Sequence, residues 1–255
     1  MQKQAEIIRG QQYLLTLYRH SGQYDNMISG IVRDQFNIQY RELQEIGFID
    51  RPTINKIRLR SSYINASLPP VLLSLFDRGY TEGSNVINSQ SLLQDEYASI
   101  RQNSINSYHR TSRNRAIMIG SSLNRTTRAK LENIVKLDTN LENKRQLTST
   151  LLLSTTARDR SIGVARNETI YNLNAGSKQS FKDSRVIRKV RWVVANDDRL
   201  CQFCVLFNGL ELAIDDDFGK EGDNITGNRG GNLKLLSDIP HPPLHQRCRC
   251  SLIPI

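Results

Sequence analysis

All four cysteines of the 255-residue chain lie in its last 55 residues, in two tight groups that also hold two of its four histidines. The first group is Cys201-Gln-Phe-Cys204, and the second is His241-Pro-Pro-Leu-His245-Gln-Arg-Cys248-Arg-Cys250. Two residues between a pair of thiols let both sulfurs reach one metal ion from a single turn. The tail is therefore expected to form one small closed site that joins two distant segments.

A tetrahedral Zn²⁺ site would have more candidate donors than positions. A closed site leaves no open position for a substrate, so a metal here is expected to be structural and to contribute to the folding of a small β unit. His241 lies between prolines and is expected to face solvent. Arg247 and Arg249 alternate with the cysteines and are expected to offset thiolate charge. The five candidate ligands are Cys201, Cys204, His245, Cys248 and Cys250.

Other interpretations of the cysteines stay open: free thiols that cluster by chance, a disulfide framework, and a redox-active Cys201-x-x-Cys204 pair. A thioredoxin-like pair belongs at the start of a helix in a βαβ unit. Here a hairpin signal, Asn208-Gly209, follows the pair. A metal-dependent nuclease of treble-clef type would need a further pair of histidines, and His20 and His109 are remote in sequence.

The chain begins without an apolar leader segment, so we expect synthesis in a cytoplasm, where paired thiols hold metals more often than they form structural disulfides. The longest apolar stretch, residues 68–76, is too short to span a bilayer and contains two prolines. No membrane partner is therefore expected.

The formal net charge of +10 is concentrated in the middle of the chain. Between residues 101 and 191 there are 19 Lys and Arg against 6 Asp and Glu. Such a region indicates solvated helix faces, contact with double-stranded DNA, or an acidic protein surface as partner. Few aromatic residues interleave with these bases, so a platform that stacks single-stranded bases is not indicated.

Hydrophobic periodicity predicts an α+β fold, with a helical N-terminal arm over residues 1–91 and a mostly helical body within residues 92–255. Separate helices are predicted for 92–109, from about 126, and from about 155 to 174, the last ending at Gly176. Residues 52–91 contain Pro69-Pro70, which predicts an irregular joint between arm and body.

After Gly176 the pattern changes from helical to alternating. Val190, Trp192 and Val194 predict a strand, and Asn208-Gly209 predicts a hairpin between residues 205–207 and 210–212. Residues 215–231 are polar and glycine-rich and predict a long loop. Residues 251–255 predict a final short strand. The metal-binding tail is therefore placed at residues 190–255.

Two motifs in register carry a family resemblance. The tail reads Trp192-x5-Asp198-Arg-x-Cys201-x2-Cys204-x3-Asn208-Gly209, followed by Pro242-Pro243-x-His245-x2-Cys248-Arg249-Cys250. Upstream lies Ala165-Arg-Asn-Glu-Thr169. Together they resemble the C-terminal signature and the Ala-Arg-Thr-Glu helix of the Mu F-like phage head morphogenesis family, with Asn167 in place of the threonine. The resemblance covers about residues 92–255.

This resemblance implies a non-enzymatic minor head protein of a tailed phage, made in the host cytoplasm and present in the virion near the portal. A role in DNA packaging or delivery is implied for some relatives. The alternative function is a metal-dependent nuclease that acts on phage DNA. Residues 1–91 lie outside the resemblance and are expected to dock on a portal or capsid protein. No toxin or enzyme module is expected after the signature.

The resemblance also ranks the candidate residues. It implies that Arg166 and Glu168 have structural roles in their helix. It leaves Cys201 as an alternative ligand or a spare thiol. The ligands that it favours are Cys204, His245, Cys248 and Cys250.

Overall fold

A computed structural model of the chain describes residues 12–13, 15–19, 21–46, 59–87, 94–195 and 200–255. The helices are α1 (Ser21–Glu45), α2 (Ser62–Ile87), α3 (Gln94–Lys136), α4 (Leu141–Leu153), α5 (Thr155–Asp183) and α6 (Cys204–Phe207). The strands are β1 (Lys189–Val193), β2 (Glu211–Ala213), β3 (Asn224–Thr226), β4 (Asn232–Lys234) and β5 (Ser251–Pro254). The predicted α+β class is confirmed, because long helices precede a group of short strands near the Cys/His cluster.

The strands form two small antiparallel sheets. One has the order β2-β1-β5, and the other is the hairpin β3-β4. In the first sheet Trp192 pairs with Leu252, and Val190 pairs with both Leu212 and Pro254. Val190 and Trp192 are buried, as the alternation in the sequence predicts. The sheet therefore joins residues near position 190 to the last residues of the chain.

The chain divides into two compact units, each built from separate segments. We call Asp25–Val71 with His109–Ala165 the basic unit, and Met1–Tyr24, Leu72–Tyr108 and Arg166–Ile255 the mixed unit. The described part of the basic unit contains helices and no strand, and the mixed unit contains both sheets. This division reflects how compactly the segments pack, so it does not test the predicted domain boundary at residue 91. That boundary stays a prediction.

The basic unit packs apolar helix faces around a few buried amides. Ile28, Val32 and Phe36 recur at helical spacing on α1 and are fully buried. Gln39 is buried on the same helix, where its Nε2 donates to Asn124 Oδ1 at 2.6 Å. Its polar groups are thus satisfied inside the helical core.

The mixed unit brings two helices into backbone contact through glycines. A Cβ at Gly176 on α5 would lie 2.0 Å from the carbonyl oxygen of Phe76, and one at Gly79 on α2 would lie 2.0 Å from that of Leu173. Any side chain at these positions would push the helices apart. Gly176 therefore serves close packing, and the prediction that it ends α5 is wrong, since the helix continues to Asp183.

Two other helix boundaries also differ from prediction. Pro69-Pro70 lie inside α2, where burial of Leu68, Leu72 and Leu75 on one face outweighs the lost backbone hydrogen bonds. The helices predicted for 92–109 and from about 126 belong to one helix, α3. Thr126 bonds back to the Ser122 carbonyl within that helix and caps nothing. None of the described helices is long and apolar enough to cross a membrane.

The hairpin predicted around Asn208-Gly209 is wrong, because its first strand, 205–207, does not form. Residues 204–207 form the helical turn α6, and β2 pairs with β1 instead. Gly209, at a φ of 81°, turns the chain and donates its N–H to Trp192 O at 2.8 Å. The predicted loop 215–231 contains β3, and its end leads into β4. The strands predicted near 190 and 251 are confirmed.

Candidate metal centre

The sheet order explains why the two cysteine groups meet. Cys250 directly precedes β5, and Ser251 pairs with Val193 at the end of β1. Cys201 and Cys204 follow β1, and Cys204 is the first residue of α6. Antiparallel pairing of β1 with β5 therefore brings the second group back beside the first, although 36 residues separate them.

The five predicted ligands form two overlapping sets. In one set, Cys201 Sγ lies 2.8 Å from His245 Nε2, and Cys204 Sγ lies 3.1 Å from the same nitrogen. The donor atoms of each set lie within 4.8 Å of one another. Cys204 belongs to both sets, so it is the centre of the arrangement. The sets are Cys201 with Cys204 and His245, and Cys204 with Cys248 and Cys250.

The separation of two buried sulfurs, the void between the donors and the donor chemistry fit one thiophilic metal ion. Cys204 Sγ and Cys248 Sγ lie 3.7 Å apart, close to the separation of about 3.8 Å for two sulfurs on a tetrahedral Zn²⁺. A void of about 20 Å³ lies among the five side chains, a volume that suits one water-sized occupant. Thiolates and an imidazole are donors that Zn²⁺ accepts readily.

The five donors differ in their exposure to solvent. Cys204, Cys248 and Cys250 are each 2% exposed, whereas Cys201 and His245 are partly exposed. Cys201 and His245 also line an open cavity of about 510 Å³ that includes Arg229. The buried thiols therefore form the floor of the site, and the other two donors form its solvent-facing side.

The buried thiols differ in how readily they lose a proton. Hydrogen bonding with Cys248 and Cys250, together with burial, raises the pKa of the Cys204 thiol far above its usual range. Burial also opposes ionisation of Cys248, but hydrogen bonds with Cys204 and Cys250 outweigh it and lower the pKa of that thiol. Without a cation, one thiolate is stabilised and further ones are costly. A bound cation would remove that cost by neutralising the thiolates.

Short-range backbone contacts hold the donors. The Cys204 N–H donates to Cys201 Sγ at 3.1 Å, and the Cys248 N–H donates to the His245 carbonyl at 3.2 Å. His245 donates its Nδ1–H to Gln246 O at 2.7 Å, which leaves Nε2 directed at the thiols. Such a contact fixes the tautomer that a metal-binding histidine needs.

Gln202, between the first two cysteines, links the site to the hairpin β3-β4. Its Oε1 accepts from the Gly231 N–H at 3.2 Å, and its carbonyl accepts from the Asn228 N–H at 3.2 Å. A Cβ at Gly227 would lie 2.7 Å from the Gln202 side chain. The glycines at both ends of the hairpin turn thus make room for this glutamine, a role that the sequence alone does not indicate.

Asn174 on α5 binds the chain directly after the last cysteine. The Asn174 side chain is fully buried, and its Oδ1 accepts from Leu252 N at 3.1 Å and from Ser251 Oγ at 2.9 Å. Tyr18 donates its hydroxyl to Cys250 O at 2.6 Å. Neither residue is predicted from the sequence to support the site. The available signal was a pair of asparagines, 172 and 174, inside a predicted helix, where asparagine is unfavourable.

Lys178, one turn further along α5, anchors two loops. Its side chain is only 5% exposed, and Nζ donates to Pro240 O at 2.8 Å and to Asp216 O at 3.1 Å. Burial lowers the pKa of this ammonium group to about 8. A buried lysine bound to two backbone carbonyls holds the loops before and after the hairpin β3-β4 against the helix.

His241 is not directed at solvent, contrary to prediction. It is 6% exposed, its Nδ1–H donates to Pro242 O at 2.7 Å, and its ring packs edge-on against Tyr171 at 4.6 Å. The proline-flanked loop folds onto α5 and takes the imidazole with it. His241 belongs to neither donor set.

The residues of the upstream motif lie in α5. Ala165 and Glu168 are buried, and Arg166 is partly exposed. Their structural role stays a prediction. Asp198 and Arg199 of the tail signature lie outside the described residues.

Comparison with known proteins assigns the chain to a family. The model of the family described as Phage Mu protein F like protein matches residues 110–253, which is more than half of the chain. No significant match was found among curated proteins or among solved structures. The matched segment begins in α3 and includes all five candidate ligands. The chain therefore belongs to the family of Phage Mu protein F like proteins, which act in phage head morphogenesis.

Proposed function

We propose that this protein is a non-enzymatic minor head protein that acts in head assembly at the portal region of a tailed phage. The observation that carries the proposal is the family match over residues 110–253, which takes in most of α3, all of α4 and the thiol-rich tail. The residues outside that match include the whole of the predicted arm, 1–91. We propose this arm as the segment that docks on a portal or capsid protein.

Quantitative mass spectrometry of purified phage particles tests the assembly role. The protein should be present in the virion at a copy number far below that of the major capsid protein. Phage that lacks the gene should yield fewer filled heads. Normal yields of infectious particles without the protein would contradict the proposal.

We also propose that the tail binds a structural Zn²⁺ through the thiol-rich cluster. The support is the donor chemistry, the 3.7 Å sulfur separation and the void that suits one ion. The ion would neutralise the thiolates and join the segment after β1 to the segment before β5. Elemental analysis after reducing, chelator-free purification should find about one zinc per chain. A content near zero would reject this part of the proposal.

The basic unit is the proposed contact for double-stranded DNA. It carries 17 Lys and Arg against 9 Asp and Glu, which is most of the net charge of the chain. Arg110, Arg113 and Arg125 are exposed on α3. At 100° per residue they lie within about a third of the helix circumference. A single cationic stripe of this kind suits a phosphate backbone.

The salt dependence of DNA binding tests this contact. Replacing Arg113 and Arg125 with glutamine should weaken binding and lower the slope of log K against log salt by about 2, because two phosphate contacts are lost. The matched control replaces Arg229 and Lys234, which are exposed in the mixed unit, and should leave the slope unchanged. Equal effects of the two double substitutions would contradict a contact through the basic unit.

The alternative, a metal-dependent nuclease, makes an opposite prediction about DNA. Nucleases of that kind commonly use carboxylates and water on Mg²⁺ or Mn²⁺, whereas the clustered donors here are mainly thiols. Plasmid incubated with the zinc-loaded protein and Mg²⁺ or Mn²⁺ should remain intact. Cleavage that disappears in a Cys248→Ser variant would favour the nuclease.

A further inference from the structure

We propose that Cys201 and His245 share one coordination position on an ion held permanently by Cys204, Cys248 and Cys250. Either donor binds while the other is displaced into the adjoining cavity. The inference rests on the zinc binding proposed above and adds to it an exchangeable ligand on the solvent side.

The spacing of the donors carries the argument. Two ligands of one tetrahedral Zn²⁺ lie about 3.5 Å apart when one is nitrogen and the other is sulfur. Cys201 Sγ and His245 Nε2 lie 2.8 Å apart, closer than Cys204 Sγ lies to the same nitrogen, at 3.1 Å, so this pair departs furthest from the spacing of two separate corners. Five donors must also fill four positions. These two therefore occupy one corner between them.

Burial determines which donors are permanent. Cys204, Cys248 and Cys250 are closed off from solvent, so none can leave the ion without moving the surrounding chain. Cys201 and His245 face a cavity of about 510 Å³. That cavity has room for a displaced thiol or imidazole without repacking of the sheet.

Each of the two donors also has a backbone contact that does not involve the other. The Cys204 N–H holds the sulfur of Cys201, and the Gln246 carbonyl holds the ring of His245. Removing one donor therefore leaves intact the backbone contact that orients the other. Mutual dependence would instead require that one donor be positioned mainly by the other.

Alkylation of the intact zinc-loaded protein tests the exchange. Iodoacetamide should modify Cys201 alone, because His245 keeps the ion four-coordinate when the Cys201 sulfur leaves it. In the reaction, the Cys201 sulfur loses its proton and displaces iodide from the reagent. Native mass spectrometry should then detect one added carbamidomethyl group with zinc still bound. Zinc loss that accompanies each modification, or complete resistance of Cys201, would overturn the inference. Absence of zinc before alkylation would instead reject the proposed zinc binding.

Single substitutions provide the second test. Cys201→Ser and His245→Asn should each bind zinc within about tenfold of the original affinity, because the remaining donor fills the position. The double variant should weaken binding at least about a thousandfold, as should the control Cys248→Ser. With Co²⁺ as probe, the thiolate charge-transfer band should be stronger in His245→Asn than in Cys201→Ser. Either single variant losing as much affinity as the double variant would overturn the inference.

Discussion

The basic unit and the mixed unit are stabilised in different ways. In the basic unit, apolar residues such as Ile28, Val32 and Phe36 recur along long helices, so that many similar contacts contribute to its stability. The strands of the mixed unit have three to five residues each and cannot bury a large core. Around its sheets, the mixed unit depends on individual side chains, each with a distinct task. Single changes should therefore have larger effects in the mixed unit.

Metal removal should produce the largest difference in stability between the two units. Chelation should destabilise the tail, residues 190–255, by at least about 5 kcal/mol, since binding free energy at a structural zinc site is folding free energy. Hydrogen exchange with and without EDTA should show lost protection in β1, β2 and β5. The amides of the basic unit should be unchanged, and added Zn²⁺ should restore the tail. Equal loss of protection in both units would remove the contrast between them.

Two glycines of α5 offer a matched pair across the units. Gly176→Ala should destabilise the mixed unit by about 3 kcal/mol or more, because the added Cβ collides with the backbone of α2. Gly163→Ala, in the basic unit, meets no atom within 4 Å and should stabilise by about 0.5–1 kcal/mol through helix propensity. Denaturation followed by circular dichroism and by the fluorescence of Trp192, the single tryptophan, measures both. Destabilisation by both alanines would show that helix packing is equally tight in the two units.

Buried asparagines provide a finer comparison within the mixed unit. Asn174→Ala should cost about 2–3 kcal/mol, because the buried N–H of Leu252 loses its partner. It should also increase hydrogen exchange selectively in β5. Asn172, equally buried, bonds instead to Tyr108 and to the Glu168 carbonyl. Asn172→Ala should lower global stability without selective exchange in β5, and a selective effect there would argue against a specific role for Asn174.

The buried Lys178 should produce the smallest effect, visible as a pH dependence. Its pKa is about 8 when folded, against an ordinary value of 10.5. Between these pH values the unfolded chain binds more protons, so the contribution of Lys178 to stability rises with pH. Burial is the main cause of the lowered pKa. Lys182 lowers it further, and the aspartates at 215–217 oppose the shift.

The measurement compares the original protein with Lys178→Met at pH 7.5 and pH 10. The difference in unfolding free energy should grow by about 1–2 kcal/mol in favour of lysine at the higher pH. Tyr13, whose pKa is raised by burial, loses stabilising effect above pH 10 in both proteins and cancels in the difference. A difference that is constant with pH would mean that Lys178 titrates normally.

Local patterns were sufficient for several elements of the fold. The alternation at Val190 and Trp192 predicts β1 because one face of that strand is buried. The spacing of the cysteines and His245 predicts a common site, and the structure places all five candidate donors around one void. These predictions succeed because they depend on residues close in sequence or on a chemistry that few residues share.

Other boundaries depended on contacts between distant segments. Pro69-Pro70 and Gly176 are helix breakers by local propensity, yet both lie inside helices. Apolar burial on α2 offsets the prolines, and the approach of α2 to α5 requires the glycine. The run 205–207 resembles a strand, but hydrogen bonds from Cys204 N to Cys201 Sγ and from Val205 N to Cys201 O close a helical turn there.

The sequence by itself determined the fold class, the family motifs and the set of candidate ligands, because residue type and spacing carry that information. Only the tertiary structure decided how those ligands are arranged, with three thiols buried and Cys201 and His245 at the solvent side. It also assigned Asn174, Tyr18 and Lys178 to the support of the tail. Long-range hydrogen bonds and burial depend on which segments meet, and sequence spacing does not specify that meeting.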